Sequence, residues 1–380
     1  MVYNYHQLPH AGIQTLAPYI PGKSAETVAK EYGLTDIIKL ASNENPLGTS
    51  PEVLRALHTL TPHKIATYQI TSIHSFRDTL ANALSLDCEM VFLSNGSDTI
   101  FYYILVCFAL HSGKRMVTHE KAFIQYEIQA KTLGIPVHLT ALKKDMSVDI
   151  DALIKAATPD TAVIFLANPN NPTGLLIELS EIKRLLSHVP ENIIVVLDEA
   201  YFEYLPLSKR SNIVELLQQY PNLIVTRTFS KIYGLASLRL GYALANPALI
   251  ALLYRIQLPF IVNLAAFIAA DAALKDIAFL ERSLSNNAKG LVQIREGLTA
   301  LKLKQLPSDA NFITFDAGFS ARHVDLYLQK QGVIVRPLDA YGLTQYLRVT
   351  IGTPEQNQRF LNALSHCLQE HHHDTVSEKM

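Results

Sequence analysis

Ile193-Ile194-Val195-Val196-Leu197-Asp198-Glu199-Ala200-Tyr201 is an unbroken aliphatic run that ends in two acids. It does not alternate apolar with polar residues, so it reads as a strand covered on both faces, the habit of parallel sheets. Working outward, further candidate strands are Met90–Leu93, Arg115–Thr118, Val137–Thr140, Ala162–Leu166, Leu223–Thr226 and Leu240–Leu244. Between them lie segments with helical spacing: Ser97–Leu110, Phe123–Leu133, Ile150–Ala157, Ser180–His188 and Ile213–Gln219. This rhythm predicts an α/β fold, a mainly parallel seven-stranded sheet between helices.

Beyond Pro259 the pattern changes to a long helical stretch over about 265–301, a strand Asn311–Phe315 and a helix Ala321–Lys330. Short strands Val333–Arg336 and Tyr346–Thr350 and a final helix Pro354–Glu370 follow. That is a smaller α+β domain. The expected division is 1–43 as N-terminal arm and part of the small domain, 44–260 as the large domain, 261–370 as the small one and 371–380 as a polar tail. His371-His372-His373 in that tail reads as a solvated end rather than a metal site.

The bulk numbers narrow the class. With 380 residues, 49% of them hydrophobic, the chain can bury two sizeable cores. Its 33 basic and 34 acidic residues give a net charge of −1, which offers no electrostatic reason to bind nucleic acid or a membrane surface. Cys88, Cys107 and Cys367 are odd in number and far apart, so a reducing compartment, the cytoplasm, is expected. No secretory leader or spanning segment is expected either, since Ile100–Leu110, the richest apolar run, is too short to span.

Ligands of open parallel sheets sit beyond the carboxyl ends of the strands. Ser97 and Asp98 open a helix just after Gly96, where free N–H groups favour an anion. Asn168-Pro169-Asn170-Asn171-Pro172-Thr173-Gly174 stiffens another strand end, and an Asn amide held there can donate to a ligand oxygen. Asp198, ending an all-apolar strand, needs a cation, either a protein Arg or Lys or a ligand's protonated nitrogen. Thr228, Ser230, Lys231 and Arg239 bring hydroxyls, an amine and a guanidinium together, the groups that suit a phosphate and a phosphorylated aldehyde.

Taken in order, these segments resemble the fold-type-I pyridoxal-phosphate aminotransferases, over about residues 15–368. The histidinol-phosphate aminotransferase branch is indicated by Leu16-Ala17-Pro18-Tyr19-Ile20-Pro21-Gly22-Lys23, Lys39-Leu40-Ala41-Ser42-Asn43-Glu44-Asn45-Pro46-Leu47-Gly48, Val333-Ile334-Val335-Arg336-Pro337 and Leu347-Arg348-Val349-Thr350-Ile351-Gly352-Thr353. Three features depart from the family pattern: Thr99 in place of Glu, Ser237 in place of Gly, and Gln69-Ile70-Thr71-Ser72 without the usual Pro and Asp.

The resemblance implies pyridoxal 5'-phosphate as cofactor, bound covalently to Lys231, which also moves the substrate proton. It implies Asp198 at the ring nitrogen, Asn171 and Tyr201 at the ring oxygen, and Phe123 stacked on the ring, where the family often has Tyr. The phosphate falls to Ser97, Asp98, Thr228, Ser230 and Arg239, with Tyr68 reaching it from the other subunit of a homodimer. Tyr19, Asn171, Arg336 and Arg348 are expected to bind substrate. The implied reaction is transamination between L-histidinol phosphate and 2-oxoglutarate in histidine biosynthesis, by a ping-pong route between an amino donor and a 2-oxo acid. An aromatic amino acid aminotransferase and a threonine-phosphate decarboxylase stay open as alternatives.

Overall fold

A computed structural model describes residues 4–18, 22–68 and 70–377. The chain forms two compact units. One comprises residues 1–18, 49–171 and 175–277, the other 19–48, 172–174 and 278–380. Tyr19 lies outside the described residues.

The first unit is built on seven strands: β1 (Val91–Ser94), β2 (Arg115–His119), β3 (Val137–Thr140), β4 (Thr161–Ala167), β5 (Ile194–Asp198), β6 (Leu223–Thr228) and β7 (Gly241–Ala245). They lie in the order β1-β7-β6-β5-β4-β2-β3. All neighbours are parallel except β7, which runs antiparallel to both β1 and β6. The mainly parallel sheet read from the sequence is therefore present.

Successive residues of each central strand feed two separate cores, because side chains alternate across a sheet. Val195, Leu197, Leu223 and Val225 enter one core, and Ile194, Val196, Ile224 and Phe165 the other. Every residue of β4, β5 and β6 is buried, which explains the lack of alternation. Each aliphatic side chain so buried contributes about 1.5–3 kcal/mol of transfer free energy.

Helices α1 (Ser97–Phe108) and α2 (Ile124–Thr132) pack in the second core through Ile100, Phe101, Ile104, Tyr126 and Ala130. The stretch expected as one helix over about 265–301 is two, α3 (Leu264–Lys275) and α4 (Ile277–Ala300). Asp276 between them leaves the helical region at φ −87°, ψ 73°, and its carboxylate accepts a hydrogen bond from Ser50 Oγ. Apolar periodicity runs straight through this break, so spacing alone hides it.

In the second unit β8 (Phe312–Asp316), β9 (Arg336–Leu338) and β10 (Leu343–Thr350) form an antiparallel sheet in the order β9-β10-β8. Helices α5 (Ala321–Lys330) and α6 (Pro354–Ser377) share a core with it through Val324, Leu328, Phe360 and Leu364. The last helix continues past the expected end at Glu370, and His371 lies flat on Phe319 with ring centroids 3.8 Å apart. Among the described residues no helix is long and apolar enough to cross a membrane.

Candidate active site

The carboxyl ends of β4, β5 and β6 open into one pocket in the first unit. Its walls include Ser97, Asp98, Phe123, Asn171 and Asp198, and also Tyr201, Thr228, Ser230, Lys231 and Arg239. Ten of the residues expected from the sequence thus converge on one cavity, although they come from five separate stretches of chain.

One end of the pocket suits an anion. Helix α1 starts at Ser97 behind Gly96, which supplies no side-chain cap, so its first N–H groups are left for a ligand. Gly96 holds φ at +77°, and a Cβ there would come within 2.5 Å of Arg239 Nη2. Arg239 itself sits in the left-handed region at φ 54°. Its Nη1 donates to Ser230 Oγ at 3.3 Å and to the Ala236 carbonyl at 3.1 Å, and its Nη2 lies 3.8 Å from Asp98 Oδ2. Burial pushes the Asp98 carboxyl above its usual range, an effect offset in part by Arg239 and Lys231. Thr228 Oγ1 accepts from Ser230 N–H at 3.1 Å, which shapes the turn that presents Ser230 and Lys231. Thr99, the departure beside this cradle, turns its hydroxyl back to the Asn95 carbonyl at 2.8 Å.

At the other end stands Asp198, 4% exposed. Tyr126 donates its phenol to Asp198 Oδ2 at 2.7 Å, and Thr226 Oγ1 donates to Oδ1 at 3.2 Å. The Ala200 N–H helps to hold the charge, yet burial raises the carboxyl to about 7. The groups that hold it are thus two hydroxyls and a backbone amide, all neutral. The expected alternative, a protein Arg, goes to its neighbour: Arg227 donates Nε to Glu199 Oε2 at 2.9 Å and places Nη2 at 2.7 Å, with both side chains almost fully buried. Lys231 lies with its amine 5.9 Å from the Tyr201 ring centroid, and Phe123 forms a further wall.

The other expected residues lie elsewhere. Tyr68 is 79% exposed and stacks on Phe260 at 4.3 Å in a separate apolar groove. In the second unit Arg336 and Arg348 face each other across the β9–β10 pair. Arg348 donates Nη2 to the Ala41 carbonyl at 2.8 Å and lies over the Phe312 ring at 5.3 Å. Tyr126 and Thr226 were not singled out from sequence. Tyr126 lies on α2, three residues after Phe123, the cap of that helix.

The family model for aminotransferase class I and II matches residues 35–364. The chain belongs to that aminotransferase family. A histidinol-phosphate aminotransferase 2 of Legionella pneumophila (strain Lens) is 51% identical to this aminotransferase over 96% of the chain and 99% of the relative. A histidinol-phosphate aminotransferase 1 of Nitrosococcus oceani is 39% identical over 96% and 98%. Among solved structures, the histidinol-phosphate aminotransferase of Sinorhizobium meliloti in complex with pyridoxal-5'-phosphate matches at a TM-score of 0.86, with 25% identity over 96% of this chain and 98% of that one. The cofactor of this aminotransferase is pyridoxal 5'-phosphate, and the pocket fits it. A buried acid held by neutral donors suits a protonated ring nitrogen, a primary amine suits the aldehyde, and an uncapped helix start with a guanidinium suits the phosphate.

Proposed function

We propose that this aminotransferase moves the amino group of L-histidinol phosphate to 2-oxoglutarate, giving imidazole-acetol phosphate and L-glutamate, a step of histidine biosynthesis in the cytoplasm. The observation that carries the chemistry is the pocket in which Lys231, Asp198 and the Ser97–Arg239 cradle face one cavity. The 51% identical relative supports the substrate.

When bound, pyridoxal phosphate supplies an electron-withdrawing ring that stabilises the carbon losing its proton. Asp198, ionised, holds the ring nitrogen positive in a site of low dielectric. Lys231 would hold the cofactor through its amine and would move the proton of the substrate carbon as a positioned acid–base group. Asn171 and Tyr201 orient the ring oxygen, and Phe123 covers one ring face. Ser97, Asp98, Thr228, Ser230 and Arg239 hold the phosphate.

Histidinol phosphate carries a phosphate, whereas glutamate and 2-oxoglutarate carry carboxylates. Arg336 and Arg348 present two guanidinium forks that accept either anion, so both half-reactions share one anion site. Tyr19, outside the described residues, belongs to the same substrate-binding set. Tyr68 reaches the phosphate of a second copy, which makes the homodimer the active form.

Steady-state rates with histidinol phosphate, phenylalanine and tyrosine, each with 2-oxoglutarate, test the substrate. We expect kcat/KM for histidinol phosphate to exceed the others by on the order of 100-fold, because a site built for one polar group discriminates strongly against ligands that lack it. Preference for phenylalanine would transfer the chain to the aromatic aminotransferases.

A further inference from the structure

Tyr126 has no part in the reading above, yet it touches two of its walls. It is fully buried on α2, and its hydroxyl donates to Asp198 Oδ2 at 2.7 Å. Its ring stacks on Phe165 at 4.8 Å, meets Phe101 edge-on at 5.0 Å and meets Phe123 edge-on at 5.6 Å with the planes 84° apart. Phe165 lies on β4 and Phe101 on α1, so the phenol is clamped between sheet and helix and cannot swing away. A buried hydroxyl with an ionised acceptor also makes one of the stronger hydrogen bonds available to a protein.

We propose that Tyr126 is a positioning residue of the transamination site: it aims Asp198 at the ring nitrogen, favours the ionised form of that carboxylate, and fixes the plane of Phe123. This rests on the assignment of Asp198 to the ring nitrogen. The charged and titratable groups around Asp198 are consistent with the need for such a donor. Asp98 on α1 opposes its ionisation, whereas Thr226 on β6 and the Ala200 N–H favour it. Tyr201, Lys231 and Arg239 stand on the other walls of the pocket. Burial and the Asp198 charge drive the Tyr126 phenol well above its ordinary range, so the proton of the pair stays on the tyrosine and Asp198 remains the acceptor.

The test is Tyr126→Phe, which removes the hydroxyl and keeps the ring. In the cofactor-free full chain the Asp198 carboxyl carbon, assigned by its loss in Asp198→Asn, is titrated by carbon NMR. Its midpoint rises by about one pH unit or more, the share of one charge-assisted hydrogen bond. In the holoenzyme the acid limb of the kcat profile moves up in the same direction, while KM changes less than about twofold because substrate contacts are intact. Tyr126→Leu removes the ring as well, and it weakens cofactor affinity beyond Tyr126→Phe by releasing Phe123. If the carboxyl titrates alike in wild type and Tyr126→Phe, or if stability falls while the pH profile stays put, the proposal is overturned. A failure of the underlying assignment looks different: Asp198→Asn would then keep full activity, whatever the carboxyl titration shows.

Discussion

Asp198 and Glu199 are consecutive carboxylates at the end of one strand, both almost wholly buried, and the fold handles them in opposite ways. Glu199 receives its counter-charge from the chain. Arg227 reaches it from β6, Ser211 Oγ donates to its other oxygen at 3.1 Å, and the guanidinium is capped by the Phe202 ring at 3.5 Å. Asp198 receives hydroxyls and an amide N–H, which orient it without neutralising it. A buried ion pair completes itself, whereas a buried acid held only by neutral donors is completed by something that arrives. The difference separates a structural carboxylate from a functional one although they are adjacent in sequence.

The comparison breaks first at the amine that shares the pocket with Asp198. Lys231→Ala is expected to lower kcat by at least about 10,000-fold, since it removes both the covalent anchor and the proton carrier. The visible absorbance of bound cofactor should change with it, while urea unfolding of the cofactor-free chain stays near wild type. Near-normal turnover in this variant would refute the whole assignment of the pocket.

Next come the acids themselves. Asp198→Asn should cost about 100- to 1,000-fold in kcat, the scale of losing one preorganised electrostatic group. Glu199→Gln should do the reverse. It leaves Arg227 buried beside a neutral amide and costs about 3 kcal/mol of stability, read from the urea midpoint of the cofactor-free chain. Equal effects of the two substitutions on both readouts would erase the distinction.

The pH dependence has a definite sign. The folded-state value of Asp198 is raised to about 7 by burial, above its ordinary value. Between about pH 4 and 7 the folded chain therefore holds a proton that the unfolded chain releases, so this residue's contribution to stability falls as pH rises through that window. The loss is on the order of 4 kcal/mol at most. Without cofactor, Asp198→Asn should flatten the decline in unfolding midpoint between pH 5 and 8. Saturating cofactor should flatten it in the wild type, because a positive ring nitrogen supplies the missing charge.

Much of this was legible beforehand, for a physical reason. Strands β4, β5 and β6 are buried on both faces, so each contains an unbroken apolar run (Ala162–Ala167, Ile194–Leu197 and Leu223–Val225) that announces itself. The polar residues that interrupt them at the carboxyl ends then mark the pocket: Asn171, Asp198, Ser230 and Lys231 all follow such runs. Partner choice was not legible. Nothing in Asp198-Glu199 says which carboxylate takes Arg227, because that is decided by which face of the sheet each residue points to at the end of β5. Tyr126 was hidden because a tyrosine on the apolar face of a helix reads as core until the carboxylate beneath its hydroxyl is seen. Arg336 and Arg348 were found as residues, but their pairing depends on the register of β9 and β10, which spacing does not fix.

Gly96→Ala probes the anion end of the pocket. The backbone there is left-handed, and the added methyl would strike Arg239 Nη2, the mobile tip of a side chain rather than backbone. The guanidinium gives way, so cofactor affinity should fall about tenfold, with about 1 kcal/mol of backbone strain besides. Equilibrium dialysis of the cofactor measures the first and urea unfolding the second. Unchanged affinity would remove Arg239 from the phosphate cradle.

The finest test removes one hydroxyl from each acid. Thr226→Val deletes the donor to Asp198 Oδ1, and Ser211→Ala deletes the donor to Glu199 Oε1. The two bonds are similar in length, 3.2 and 3.1 Å, so their local costs are comparable, each about 1 kcal/mol. They differ in what the carboxylate does next. Losing the Thr226 donor should move the acid limb of kcat upward by about half a pH unit, because the anion is less well held. Losing the Ser211 donor should leave that limb in place and lower only the unfolding midpoint, because Glu199 keeps its bonds to Arg227 and does not face the pocket. A matching shift from Ser211→Ala would mean that the two carboxylates titrate as one unit, and the functional acid would then be the pair rather than Asp198.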